Sequence, residues 1–135
     1  MDFICLVFLI IRKEFVGIML SVFGATGFVG NRFCKLSSLK TVPIDRESRD
    51  SRNNDVVYFI STTNNYNVFD DLKKDINTNL IVLMDVLRNF KDSGRTFNFI
   101  SSWFVYGKVN LPARETTCCD PKGFYSITKY AAEKL

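Results

Sequence analysis

Leu20-Ser21-Val22-Phe23-Gly24-Ala25-Thr26-Gly27-Phe28-Val29-Gly30 reads as a buried strand that stops at a glycine turn and passes directly into a helix. A backbone that turns this sharply needs glycine where it takes unusual dihedrals and where a ligand must come close. The helix that follows points its unpaired N–H groups and positive dipole end at the turn, which favours a phosphate there. Gly24 would make the turn, Gly27 would admit a pyrophosphate, and Gly30 would let the helix lie against the strand. Thr26, Phe28 and Val29 stand with the glycines as candidate cofactor-binding residues. The spacing is G-x-x-G-x-x-G, which meets the general dinucleotide fingerprint only in part, and a glycine-rich turn without a ligand reads the same way.

Outward from this turn, strands and helices alternate. Thr41-Val42-Pro43-Ile44 predicts a second strand that ends at Asp45, twenty-one positions after Gly24. An acidic residue at about that distance accepts hydrogen bonds from a ribose and favours NAD. Arg46 follows at once and would meet the 2′-phosphate of NADP, so both dinucleotides stay open; a solvated residue opening a charged loop is the alternative for Asp45. The loop from Asp45 to Asn54 is polar and carries three arginines, and Asp55 to Ile60 is a β-branched and aromatic run that predicts a buried strand. A long helix is expected from Phe69 to about Asp92, with Ile76, Leu80, Leu83, Met84, Leu87 and Phe90 on one face and Gly94 as its stop. Thr96 to Ser101 predicts another strand, residues 107–120 read as irregular, and Pro121 is expected to open a last helix. The pattern predicts an α/β fold with a parallel, Rossmann-like sheet and helices on both faces.

That last helix carries Tyr125-Ser126-Ile127-Thr128-Lys129, and Ser101-Ser102 closes the strand before it. Residues four apart on a helix share a face, so Tyr125 and Lys129 emerge together. A free tyrosine titrates near pH 10 and is a poor base at neutrality. A fixed ammonium beside a phenol favours the phenolate, as does the positive ring of an oxidised nicotinamide. Tyr125 is therefore the candidate proton donor and acceptor at a substrate oxygen, with Ser102 hydrogen-bonding the same oxygen. Tyr and Lys at helical spacing also occur by chance, and it is the glycine turn and the Ser–Ser strand end that give the pair weight.

Composition excludes several classes. The 135 residues are 47% hydrophobic, enough for one compact domain. The net charge of +4 is scattered, so no nucleic-acid stripe is present. Histidine is absent, which removes His-based triads and His metal ligands. Cys5, Cys34, Cys118 and Cys119 fall in no zinc or C-x-x-C spacing, so no metal site is expected and a reducing, cytoplasmic setting fits. Phe3 to Ile11 is apolar but too short to span a bilayer, and Asp2 supplies no positive charge ahead of it as a signal peptide would. Residues 1–18 are read as an extension outside the core and 19–135 as the nucleotide-binding domain, with a membrane-touching segment as the less favoured option for residues 1–18.

Taken together, these residues resemble the extended short-chain dehydrogenase/reductases, in the NAD-dependent epimerase/dehydratase branch that acts on nucleotide sugars. Gly24 to Gly30 is similar to that family's cofactor turn and Asp55 to Ile60 to its fourth strand. Asp75 to Leu80 resembles the helix in which an asparagine recurs, Phe99 to Gly107 the strand and loop of the catalytic serine, and Pro121 to Glu133 the active-site helix. The resemblance implies NAD, or NADP, and a nucleotide-sugar substrate. It gives Tyr125 the role of acid/base, Lys129 that of electrostatic partner and ribose anchor, and Ser102 that of orienting the substrate. It also implies a homodimer built on the two helices around Asn77 and Tyr125, or a complementing C-terminal chain.

The sequence departs from the family in three ways, and the loop after Ser102 narrows the reaction within it. Phe59-Ile60-Ser61-Thr62-Thr63 replaces the family's His-Leu-Ala-Ala, which places Ser61 beside the cofactor. Between Asp45 and Asp55 there is too little chain for the family's third strand and its helix. Trp103-Phe104 follows Ser102 where dehydratases carry carboxylates, which points to an epimerase or ketoreductase. The sequence stops in the active-site helix, so the fold is expected to be incomplete relative to the family. A truncated, non-catalytic Rossmann fragment that binds nucleotide or a partner is the competing reading.

Overall fold

The computed structural model describes residues 19–52, 54–63, 72–90, 94–108 and 112–135. The expected extension at 1–18 and the expected helix limits at Phe69 and Asp92 lie outside the described residues. The elements are strand β1 (Met19–Phe23), helix α1 (Phe28–Leu36), and strands β2 (Lys40–Pro43) and β3 (Asp55–Tyr58). Then come a short helix α2 (Leu72–Asp75), a π-helical stretch (Ile76–Ile81) and helix α3 (Val82–Asn89) in direct succession. Strand β4 (Phe97–Phe99), a 3-10 turn (Trp103–Tyr106) and helix α4 (Phe124–Ala132) complete the order.

The four strands form one parallel sheet in the order β2-β1-β3-β4. Pro43 lacks an N–H, and β2 is an edge strand, where such a residue is tolerated. Side chains alternate along a strand. Phe23, Val56 and Tyr58 therefore share a face with Val42, Ile44, Phe97 and Phe99, and this face packs with Leu83 and Val86 of α3 and Ala132 of α4 as the core. Phe59 points the other way and meets the Phe33 ring of α1 at 5.2 Å. Helices thus cover both faces, as the alternating pattern predicts.

Several boundaries differ from the sequence reading, β2 lying one residue earlier than Thr41–Ile44 among them. The sheet strands end at Tyr58 and Phe99, earlier than expected, although Phe59 and Ile100 still donate ladder bonds to Phe23 and Tyr58 at 2.9 and 3.2 Å. The last helix opens at Phe124 behind Gly123, which takes φ +83°, so Pro121 lies outside it. Helix α3 ends at Asn89, with Phe90 already extended, rather than running toward Gly94. The long helix is also not one apolar stripe: Ile76 and Met84 are 46% and 42% exposed. Leu83 of the expected stripe is buried, and Leu80, Leu87 and Phe90 pack against the core. The π stretch, closed by a bond from Val82 N–H to the Asn77 carbonyl, shifts the phase so that Asp75, Asn79 and Val86 face inward with them.

The connection from β2 to β3 crosses the sheet without a helix. Ser21, wholly buried in β1, donates to the Ser51 carbonyl at 2.6 Å and accepts from Asn54 Nδ2 at 3.1 Å, so the loop is anchored under the central strand. Arg95 adds a bond of 2.9 Å to Ser51 Oγ.

Candidate active site

All four strands run in one direction, so their carboxyl ends lie along one edge of the sheet, where ligands bind in open α/β sheets. Gly24 follows β1, Asp45 and Arg46 follow β2, Ser61 follows β3, and Ser102 follows β4. The parallel register thereby gathers along one edge candidates that are scattered through the sequence.

At the first of these ends the three glycines separate by physical cause. Gly24 has φ +78°, where a side chain is strained, and a Cβ there would stand 3.0 Å from Ile60 N. A Cβ on Gly30 would overlap the Gly24 carbonyl oxygen, so the helix could not lie on the turn. Gly27 has ordinary extended dihedrals, and a Cβ there would meet only the Gly24 oxygen, at 3.3 Å. Folding explains Gly24 and Gly30. At Gly27 the space outside the turn is open, as the approach of a pyrophosphate requires. The start of α1 has no side-chain cap and no acidic residue in its first turn, so its amides point outward uncompensated. Thr26 is exposed, and Phe28 and Val29 are 94% and 58% exposed, so these residues offer backbone rather than packing to a bound group. Asp45 and Arg46 are exposed at the end of β2, and Arg49 folds back to the Arg46 carbonyl at 2.9 Å.

At the other end of the site, three links lace α4 to the segment after β4. Lys129 Nζ donates to the Ile100 carbonyl at 2.7 Å and stands 4.1 Å over the Phe99 ring. Ser101 donates to Glu133, and the Phe104 ring meets Tyr125 edge-on at 6.1 Å. Ser102 Oγ accepts from Phe104 N–H at 3.3 Å, capping the 3-10 turn that carries Phe104. As an acceptor there, the Ser102 hydroxyl keeps its proton to donate elsewhere. Lys129 is buried, which draws its pKa down to about 8 against the opposing pull of the Glu133 carboxylate.

The sequence reading missed the polar cluster behind this site. Asn79, Thr62, Asp75 and Thr128 are all buried and hydrogen-bonded to one another, and Ser61 Oγ joins through Asn79 Oδ1 at 3.2 Å. Asp75 and Asn79 stand four apart in line with Leu83. Polar residues on the inward stripe of a helix were the available signal.

The sequence pattern of the NAD dependent epimerase/dehydratase family matches residues 49–135. The chain belongs to that family. Members or fold relatives of known structure align over most of it. RMD from Pseudomonas aeruginosa, solved with NADPH, is 27% identical over 87% of this chain and 48% of its own, with a TM-score of 0.71. UDP-glucuronic acid 4-epimerase from Bacillus cereus, solved with UDP-glucuronic acid and NAD, shares the fold at 21% identity and a TM-score of 0.73, over 87% of this chain and 50% of its own. A dTDP-4-dehydrorhamnose reductase from Bacillus anthracis, solved with NADP, does so at 16% identity and a TM-score of 0.77, over 90% and 50%. The chain thus spans about half the length of the solved structures it matches. No curated protein matches the sequence. Among the described residues no helix is long and apolar enough to cross a membrane, and no cluster of side chains is suited to a metal ion.

Proposed function

We propose that residues 19–135 are the nucleotide-binding and acid–base half of an NAD(P)-dependent epimerase or ketoreductase acting on a nucleotide sugar. The observation that carries this reading is the gathering of the Gly27 turn, Ser61 and Ser102 on one sheet edge, with Tyr125 and Lys129 laced to the Ser102 end. The dinucleotides and the UDP-sugar in the aligned structures support both ligand classes.

A nicotinamide dinucleotide, when bound, supplies the hydride chemistry. Gly24, Gly27 and Gly30, with the amides of Phe28 and Val29, would hold its pyrophosphate, and Asp45 or Arg46 would meet its adenosine ribose. Ser102 directs its hydroxyl proton to the sugar oxygen under reaction, and the Tyr125 hydroxyl gives or takes the proton at that oxygen. Lys129 would keep an ammonium on the same helix face as Tyr125, with one proton on Ile100, and would turn another to a ribose hydroxyl. Trp103 and Phe104 occupy the turn after Ser102, where a dehydratase would use carboxylates, and this favours epimerase or ketoreductase chemistry.

The other half of the architecture would come from a second chain or from further polypeptide. A largely apolar groove of about 370 Å³, lined by Leu83, Leu87, Phe97, Phe99, Ala132 and Leu135 with Ser101 and Glu133 at its polar side, lies beside β4 at the sheet edge and would receive it. Exposed Ile76, Ile81 and Met84, with Phe124 and Ile127 of α4, would serve a homodimer. The thiols of Cys34, Cys118 and Cys119 are unpaired, and a reducing, cytoplasmic setting would keep them so. The second reading, a nucleotide-binding fragment without turnover, draws on the half-length alignment.

A fluorescence titration of NADH into the 135-residue chain tests the proposal beside Gly27→Asp. Saturable binding that the variant loses supports it. Absence of binding by the folded wild-type chain would overturn the cofactor role and leave a partner-binding unit.

A further inference from the structure

The buried cluster between the end of β3 and α4 has a single consistent assignment of protons. The Thr62 hydroxyl donates to Asp75 Oδ1, so the Thr62 oxygen is left to accept, and it does so from Asn79 Nδ2 at 3.2 Å. The second proton of Asn79 Nδ2 goes to Thr128 Oγ1 at 3.0 Å, whose own proton goes to the Tyr125 carbonyl at 2.9 Å. Asn79 Oδ1 accepts from the Thr62 backbone N–H at 3.0 Å and from the Ser61 hydroxyl at 3.2 Å. Turning the Asn79 amide over would set its NH2 against the Thr62 N–H, donor to donor. Its oxygen would then face two hydroxyls whose protons are already committed. Asp75 Oδ1 takes the Thr62 hydroxyl proton, the Thr62 backbone N–H fixes the Asn79 amide, and the Tyr125 carbonyl takes the Thr128 proton, so these three anchors together set the direction of the series.

The series also runs between the elements that carry the site. Asp75 and Asn79 flank the start of the π-helical stretch, Thr62 lies one residue past Ser61, and Thr128 lies between Tyr125 and Lys129 on α4. All four members are at most 9% exposed. A buried polar group with an unmet partner is costly, so a satisfied network of this kind resists rotation or sliding of the helices it joins.

We propose that Asp75, Thr62, Asn79 and Thr128 form a positioning relay that sets the rotation of α4, and through it the placement of Tyr125 and Lys129 against Ile100–Ser102. This deepens the catalytic reading of Tyr125 and Lys129 and rests on it for its purpose, but its geometry stands apart from turnover. None of the four touches a reacting atom in this scheme; they act through α4.

The test reads Lys129 itself in the folded chain, without substrate or cofactor. The 13Cε shift of Lys129 is followed against pH in lysine-labelled protein, with its signal assigned through Lys129→Gln. Glu133 and the Ile100 and Phe99 contacts are unaltered in sequence in every relay variant, and loss of the Asp75 charge alone would lower the midpoint, so a raised midpoint reports a moved helix. Wild type is expected to titrate near 8. Thr128→Val, which breaks the series at α4, and Asp75→Asn, which replaces the charged acceptor by a weaker neutral one of the same shape, are each expected to raise the midpoint by about one pH unit as the ammonium gains solvent. Thr128→Ser, which keeps the hydroxyl, is expected to keep the wild-type midpoint. If Thr128→Val does not fold, the Asp75→Asn and Thr128→Ser pair carries the comparison. A midpoint unchanged in Asp75→Asn, with only a lowered melting temperature, would overturn the relay and leave a merely structural cluster. A wild-type midpoint at the ordinary lysine value would overturn it as well. Failure of NADH binding or turnover, by contrast, would count against the functional reading and leave the relay as found.

Discussion

Lys129 donates to the carbonyl of Ile100 at 2.7 Å from within a helix that is otherwise joined to the same strand end by Ser101–Glu133 and Phe104–Tyr125. A buried ammonium with a neutral carbonyl as its close partner is held, but it is not neutralised. Its pKa falls to about 8 from 10.5.

This sets a pH dependence with a definite sign. Below about 8 both folded and unfolded chains carry the Lys129 proton, and the folded state bears the full cost of burying it. Between about 8 and 10.5 the unfolded chain keeps a proton that the folded chain has released, so this group makes stability rise with pH through that window. Lys129→Met should lose the rise. Urea midpoints at pH 7, 8.5 and 10 check it, and parallel wild-type and variant profiles would count against it.

Two neighbouring glycines should answer differently to substitution. Gly30→Ala drives a methyl into the Gly24 carbonyl oxygen and should cost about 1–3 kcal/mol of stability. Gly27→Ser enters largely open space and adds a favoured helix-capping side chain, so stability should stay within about 0.5 kcal/mol. NADH binding should nevertheless weaken at least tenfold in Gly27→Ser. Denaturation and fluorescence titration of the same samples separate the two effects.

Tyr58 is wholly buried, and its hydroxyl finds no partner among the described residues. Burial pushes its pKa up, against the influence of Arg49. Removing a hydroxyl that lost its water without gaining a bond should stabilise the fold, so Tyr58→Phe is expected to gain about 1 kcal/mol. A loss of stability on urea denaturation would reveal a partner for that hydroxyl.

Ser21→Ala removes the anchor of the helix-less crossover and strands the Ser51 carbonyl and the Asn54 amide. A cost of about 1–3 kcal/mol is expected. Hydrogen exchange should show the extra opening first in the loop between β2 and β3.

Much of this was legible in the sequence, for physical reasons. A β-branched run announces a buried strand, and G-x-x-G-x-x-G announces a strand-to-helix turn, because sterics act within a few residues. Helix α1 accordingly follows the glycine turn directly, from Phe28 to Leu36. Gly94 and Pro121 misled because each is a stop or start signal of weak range: Phe90 leaves the helix before Gly94, and Gly123 supplies the turn into α4. Ile76 and Met84 fit a perfect 3.6-residue stripe, and the π stretch between Asp75 and Val82 spoils that arithmetic. The relay was illegible because Thr62 and Thr128 meet Asn79 across 17 and 49 positions.

The sequence by itself determined the alternation of strands and helices, the glycine turn, the exclusion of histidine chemistry, and the candidacy of Ser102, Tyr125 and Lys129, since each depends on residue type and short spacing. Only the tertiary structure decided which glycine folding leaves unexplained, which carbonyl takes the Lys129 proton, and which buried groups complete one another. Those outcomes depend on distances between segments far apart in the chain, and such distances follow from the packing of the whole sheet and its helices rather than from any local preference.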